Sequence, residues 1–375
     1  MRPYIITGCV LTSCVASSLS ASPITVSRGE PSMDRWMYPF NFTPGTRTSA
    51  SVFAAIGFED FDERDAQYLI GFDVSPEVAG ASCPAEELVV TSAVVTVTNN
   101  NGDFWVYDPT QDPVESYFLD GQPGEIADTD PGRPVMIFGA DFRNGFTQQS
   151  FLQTSPFGAV SRHTRNVFNI DFDENGDPRD VSNNVSGQVD TDETGPVFNP
   201  SRMIPDGLGG MIETNSYDPN PFAIGTFDAV SPGTFVPVNE TMMFDIDVSD
   251  PSIQAYLQQA LVSGDLRFVV SSLQFASFDG STGTGAFASF YTENDVFGIY
   301  ATLTLTAECA VMSLCAGDFD MDGDVDLGDF GTFGAAFGSM TGDVNYDAGA
   351  DFDNDGDVDL GDFGTFGAEF GRNDC

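Results

Sequence analysis

The chain of 375 residues is long enough for one large domain or two to three smaller ones. Its 57 acidic residues face 13 cations, a formal charge of −44, and every cation is arginine because lysine is absent. A surface of that sign repels phosphate and anionic lipid, which excludes a nucleic-acid partner, and the sequence beyond the N-terminus has no run of about 18 apolar residues to span a membrane. Most of the acids read as the solubilising surface of an exported protein, and the concentrated ones read as cation ligands.

Residues 1–21 have the pattern of an export signal: Arg2, then the acid-free "YIITGCVLTSCVASSLSAS", with small residues Ser18 and Ser20 before a cut near Ser20 or Ala21. A second cut is encoded as well, because "LTSC" (Leu11–Cys14) resembles a bacterial lipobox with Cys14 as the lipidated residue. Either places the protein outside the cell or on its surface. Removing the signal leaves Cys83, Cys309, Cys315 and Cys375, an even count that suggests disulfides with three possible connectivities. Cys315 lies just before an acidic repeat and Cys375 ends it, so a bridge between them would clasp the repeat and leave Cys83 for Cys309.

After an N-terminal segment, 22–44, residues 45–308 show many short β runs. These are "YLIGFDV" (68–74), "LVVTSAVVTVT" (88–98), "DFWVYD" (103–108), "PVMIFGADF" (134–142), "VFNIDF" (167–172), "MMFDIDV" (242–248), "LRFVVSSLQFA" (266–276) and "GIYATLTLT" (298–306). Turn clusters such as "NNNGD" and "DENGDP" separate them. One helix is predicted at "DPSIQAYLQQALVSG", capped by Ser249 or Asp250, with Ile253, Tyr256, Leu257, Ala260 and Leu261 on its packing face. The pattern predicts a mainly β protein whose large antiparallel β-sandwich is jelly-roll-like. "DAQYLIGFDVS", "LVVTSAVVTVT" and "ASFYTENDVFGIYATLTLT" resemble the opening and closing strands of DNRLRE-type jelly-roll carbohydrate-binding modules, some of which bind polysaccharides.

Candidate chemistry in this segment is sparse. Trp36 and Trp105, the latter beside Tyr107, are candidates for stacking on sugar rings; in "DFWVYD" either Phe104 with Val106 or Trp105 with Tyr107 must face the core. His163, the single histidine, lies with Arg162 and Arg165 in a small basic spot that would suit an acidic sugar. "EDFDERD" (Glu59–Asp65) reads as a solvated turn, a carboxylate pair or a calcium site. "DFDENGDP" begins a calcium-loop spacing at Asp171, Asp173, Asn175 and Gly176, then breaks it with Arg179 and Ser182, and Asn-Gly favours a hairpin turn.

A linker, 309–317, leads to two near-identical stretches, "DFDMDGDVDLGDFGTFGAAFG" (318–338) and "DFDNDGDVDLGDFGTFGAEFG" (351–371). Asp318, Asp320, Asp322, Asp326 and Asp329 fall at positions 1, 3, 5, 9 and 12 of a twelve-residue loop, with Gly323 at 6 and Asp324 at 7. Asp351, Asp353, Asp355, Gly356, Asp357, Asp359 and Asp362 repeat the pattern. This is EF-hand calcium-loop spacing, and hard carboxylate oxygens select Ca²⁺ over softer metals. Aspartate at position 12, the duplication and one helix after each loop resemble a type I dockerin over residues 318–375. The resemblance implies two Ca²⁺ ions and a cohesin-like protein partner. At positions 10 and 11, where that family often carries Ser or Thr for partner recognition, this chain has Leu327-Gly328 and Leu360-Gly361. Phe330, Phe333 and Phe337, repeated as Phe363, Phe366 and Phe370, are expected to form the small shared core.

These readings converge on a secreted, non-catalytic extracellular binding protein for polysaccharide, with a calcium-binding dockerin-like tail. A dockerin-bearing carboxylate glycosidase or lyase, and a calcium-stabilised envelope protein, are the alternatives. With one histidine and no G-x-S-x-G, a catalytic set is not identified.

Overall fold

The computed structural model describes residues 23–53, 65–113, 116, 126–158, 165–181, 218–274, 287–309, 315–320, 322–373 and 375, and the backbone of strands 190–192, 195–197, 201–205 and 211–215. The predicted export signal and Cys14 lie outside the described residues. The chain divides into two compact units, Met1–Cys309 and Ala310–Cys375. The structure is mainly β and its sheets are antiparallel. No helix among the described residues is long and apolar enough to cross a membrane.

Two sheets organise the first unit. A four-stranded sheet runs in the order Ile24–Arg28, Thr302–Cys309, Leu88–Thr98, Thr241–Asp245. A seven-stranded sheet runs Met33–Met37, Gln67–Asp73, Asp265–Ser272, Val135–Phe142, Val167–Phe172, Pro178–Asp180, with Ala223–Ile224 also paired to Val135–Phe142. The segment 22–44 therefore contributes an edge strand to each sheet. Met33–Met37 gave no sequence signal because its centre is charged, yet Asp34 and Arg35 are both buried.

Both sheets feed one core. Val90, Val95, Val97, Leu303, Leu305 and Phe244 come from the first, and Tyr68, Ile70, Phe72, Phe268, Val270 and Ile137 from the second. Leu88–Thr98 alternates buried and exposed along much of its length, as a sheet wet on one face must. Gln67–Asp73 is buried at all but its last residue. The reason is a second apolar layer on the far face, where Leu69, Val269, Ala140 and Val167 meet Met33, Met37, Phe151 and Phe157. "DFWVYD" departs from the predicted strand. Asp103 has φ 59° and only Val106 forms a β-bridge, to Phe235, so the segment is an irregular stretch, hydrogen-bonded along its backbone to residues 233–236, that inserts Trp105 into the core.

The predicted helix spans Pro251–Ser263 and buries Ile253, Leu257, Ala260 and Leu261. Asp250 is the cap: its side chain accepts from the amides of Ser252 and Ile253. Ser249 instead donates to Asp247. Gly264, at φ 75°, ends the helix in the left-handed region. Two disulfides, Cys83–Cys309 and Cys315–Cys375, close the first and second units respectively and match the expected pairing.

Because one side chain caps this helix, Asp250→Ala should lower unfolding stability in urea by about 1 kcal/mol, while Ser249→Ala should leave it within about 0.5 kcal/mol. Equal effects of the two would show that the cap is shared.

Candidate functional site

The second unit is built from its repeat. Each acidic loop runs into a helix, Leu327–Ala336 or Leu360–Glu369, through a reciprocal capping box. Asp326 accepts from the amide of Gly328 at 2.6 Å, and Asp359 does the same for Gly361. Asp329 accepts from the amides of Phe319 (2.6 Å) and Asp326 (2.9 Å); Asp362 matches it with Phe352 (2.6 Å) and Asp359 (2.8 Å). Gly323 and Gly356 sit at φ 95° and 99°, where a Cβ would be strained, so each loop can turn sharply at position 6.

The two halves interlock by a two-fold pattern. Val325 of the first loop bonds Gly371 and Arg372, which follow the second helix. Val358 of the second loop bonds Gly338 and Ser339, which follow the first. Phe333 and Phe366, equivalent in the repeat, stack at 5.0 Å and are the only helix phenylalanines of this unit that are fully buried. The expectation that all six phenylalanines form the core is corrected: Phe330, Phe337, Phe363 and Phe370 are 42–46% exposed. The core is completed instead by Val325, Val358, Ala336, Ala350 and Cys315.

The aspartates converge in three trios. One carboxylate oxygen from each of Asp318, Asp320 and Asp322 lies within 4.8 Å of the others. The same holds for Asp324, Asp326 and Asp329, and for Asp351, Asp353 and Asp355. Oxygens bound to one Ca²⁺ at about 2.3–2.6 Å are at most about 5 Å apart, so this spacing fits that ion. Asp357, Asp359 and Asp362 belong to none of these trios, although Asp359 and Asp362 frame the second loop through the backbone. Two atoms suit a positive partner: Asp318 Oδ1 and Asp324 Oδ1 are buried without any hydrogen bond. Asp320 and Asp324 are held above the usual carboxylate range by desolvation and by Asp322, and Asp357 chiefly by Asp355. For Asp329 desolvation works upward, yet its backbone donors hold it below that range. The residues fit calcium: the donor set is all oxygen and charge-dense. They would supply carboxylates, with the position-7 carbonyls, around each ion.

The remaining sequence candidates fare differently. Trp105 and Tyr107 are buried beside Phe227, which removes them as a sugar platform and leaves Phe104 exposed. Trp36 stacks on Tyr38 at 4.6 Å, sits under the Arg47 guanidinium and donates to Ser51 O, so its ring is engaged within the protein. His163, Arg162 and Glu59–Arg64 lie outside the described residues. Asp65 and Arg165 form a buried bidentate pair at 2.6 and 2.9 Å, so neither serves a surface grip or an exposed turn. In "DFDENGDP" Arg179 at position 9 pairs with Asp171 at position 1, at 2.6–2.8 Å. The guanidinium takes the place of an ion, and the segment is a hairpin turn with Gly176 at φ 82°.

Sequence reasoning missed two features. The first is a groove between the Pro251–Ser263 helix and the sheet, lined by Phe142, Phe146, Phe172 and Tyr256 with Gln148 and Gln259. Gln148 Nε2 is buried there without an acceptor. The second is Asp34. It accepts from Tyr68 Oη at 2.6 Å and the Glu293 amide at 2.8 Å, while its other oxygen is buried and unbonded. Burial drives its carboxyl up to about 7. No signal in "SMDRWM" foretells this, because both features depend on chain segments far apart in sequence. Comparison with models of protein families found no match, and comparison with curated proteins found none either.

The Asp34 shift has a definite sign. Between about pH 4, the unfolded value, and about pH 7 the folded protein keeps a proton that the unfolded chain has lost. This group therefore makes stability fall as pH rises through that window, by up to about 1.4 kcal/mol per unit. Asp34→Asn should remove that component, read as the variant-minus-wild-type difference in urea stability across the window. A difference independent of pH would refute the assignment.

Proposed function

We propose that this chain is an exported, non-catalytic binding protein with two working parts. The second unit is a dockerin-like module that binds two Ca²⁺ ions, one per acidic loop. The first unit is a jelly-roll-like β-sandwich that binds polysaccharide. The observation that carries the reading is the pair of equivalent loops with converging carboxylates, including buried oxygens without donors on Asp318 and Asp324. Calcium offsets the repulsion that would otherwise open the loops, and their closure positions the helices for the Phe333–Phe366 stack.

Leu327, Phe330 and Phe337 and their equivalents Leu360, Phe363 and Phe370 are left partly or largely exposed, Leu327 and Leu360 to 75%. An apolar face of this kind supports docking to a cohesin-like protein, and its internal symmetry suits two equivalent orientations. In the first unit the helix–sheet groove supports glycan binding: aromatic faces for sugar rings, amides for hydroxyls, and an unbonded Gln148 donor. The disulfides agree with an oxidising, extracellular setting.

Calorimetric titration of the 310–375 fragment, its disulfide intact, should show two bound Ca²⁺ with a gain of helix by circular dichroism. At a hundredfold excess over Kd each site adds about 2.7 kcal/mol to stability. No binding at millimolar calcium would sink the calcium reading. In the intact chain, Gln148→Ala and Gln259→Ala together should weaken retention on an immobilised polysaccharide by about tenfold, the effect of losing roughly 1.4 kcal/mol of polar contact; unchanged retention on a glycan that binds the wild type would move the site elsewhere.

A further inference from the structure

The first unit carries its own cluster of acids, away from the tail repeats. Asp108 and Asp112, from the stretch that ends and follows "DFWVYD", and Asp130, from the 128–133 turn, lie so that one carboxylate oxygen from each is within 4.8 Å of the others. Asp108 and Asp112 are 3% and 5% exposed, and Asp130 is exposed at the rim. Such a cluster alone would mean little. The second observation is Asp108 Oδ2, which is buried and has no hydrogen-bond partner. An ionised oxygen removed from water with no donor is costly unless a cation meets it.

The local donors do not meet that need. Thr110 offers its amide (2.8 Å) and hydroxyl (2.6 Å) to Asp108 Oδ1. The same hydroxyl lies 3.1 Å from Asp130 Oδ2, and its single proton can serve only one of the two acids. The nearby guanidinium of Arg133 is committed elsewhere: it holds Asp112 Oδ2 at 2.7 Å, Asp128 Oδ2 at 3.3 Å, and the hydroxyl and carbonyl of Ser116 at 2.8 Å. Among the described residues of these two turns, Asp108, Asp112, Asp128 and Asp130 are accompanied by one arginine, Arg133, which pairs with Asp112 and Asp128. Desolvation, with Asp130 and Asp128 nearby, also holds the Asp108 carboxyl above its ordinary range.

We propose that Asp108, Asp112 and Asp130 form a third cation site, of the calcium type, in the first unit. The donors are hard oxygens from two separate turns, an irregular set that suits the flexible coordination of Ca²⁺ better than the strict octahedron of Mg²⁺. An ion there ties the 108–112 turn to the 128–133 turn. Gly132 already lets these turns close tightly, since at φ 111° a Cβ would lie 2.9 Å from Val106 O. The site stands independently of the tail reading.

The test counts bound Ca²⁺ on the full chain by equilibrium dialysis with calcium alone, for the wild type, Asp108→Asn and Asp130→Asn. Each variant should bind one ion fewer than the wild type at saturating calcium, and lose the calcium-induced rise in the melting midpoint of the first unit. Asp130 is exposed, so its variant should fold normally, as circular dichroism can verify. Identical stoichiometry in all three proteins would overturn the proposal, whatever the total. The 310–375 fragment reports the tail sites separately, so failure of one assignment is distinguishable from failure of the other.

Discussion

Negative charge is the constraint on which this structure depends. With no lysine, the described part of the first unit pairs several of its buried or half-buried carboxylates with guanidinium groups: Arg165 with Asp65, Arg179 with Asp171, Arg133 with Asp112, Arg267 with Asp265. Arginine suits the task because its planar fork can hold both carboxylate oxygens and resists deprotonation. Removing one member of such a pair leaves a buried charge, at a cost of about 3–5 kcal/mol. The second unit has no such recourse. It holds one arginine, Arg372, which pairs with Glu369, against fifteen aspartates. Under the proposed reading, a divalent cation in each loop would relieve the repulsion that the chain itself leaves standing.

The duplication follows from the same constraint together with a small core. A loop–helix unit of this length buries one phenylalanine and one valine and cannot sustain itself. Two copies exchange backbone bonds through Val325 and Val358 and stack Phe333 on Phe366. The Cys315–Cys375 bridge closes 60 residues around them, worth about 4 kcal/mol in a chain-entropy account. The economy leaves the other helix phenylalanines at the surface, where they can serve recognition.

In the first unit the seven-stranded sheet is buried on both faces, by the common core and by the layer around Phe151 and Phe157. That double cover lets charged residues such as Asp34 and Arg35 lie deep in an edge strand, each with partners from segments distant in sequence. The groove beside the Pro251–Ser263 helix arises where the helix meets the strands Val135–Phe142 and Val167–Phe172. Its lining comes from four separate stretches of chain, which is why it has no sequence signature.

The sequence by itself determined the features that are local. Leu88–Thr98 and Val167–Phe172 matched as strands because β-branched and aromatic runs report on their own conformation. The helix at Pro251–Ser263 was fixed by its cap, its proline and its terminal glycine. The convergence of the acidic loops was legible because the aspartates of each lie within twelve residues. What only the tertiary structure decided depends on contacts between distant segments: the burial of Trp105 and Tyr107, the conversion of the Asp171 loop into an arginine-paired turn, the exposure of four phenylalanines, and the strands at Ile24–Arg28 and Met33–Met37. Local patterns encode conformation and short-range chemistry. Which face is covered, and which charge meets which, is set by whatever the fold brings opposite.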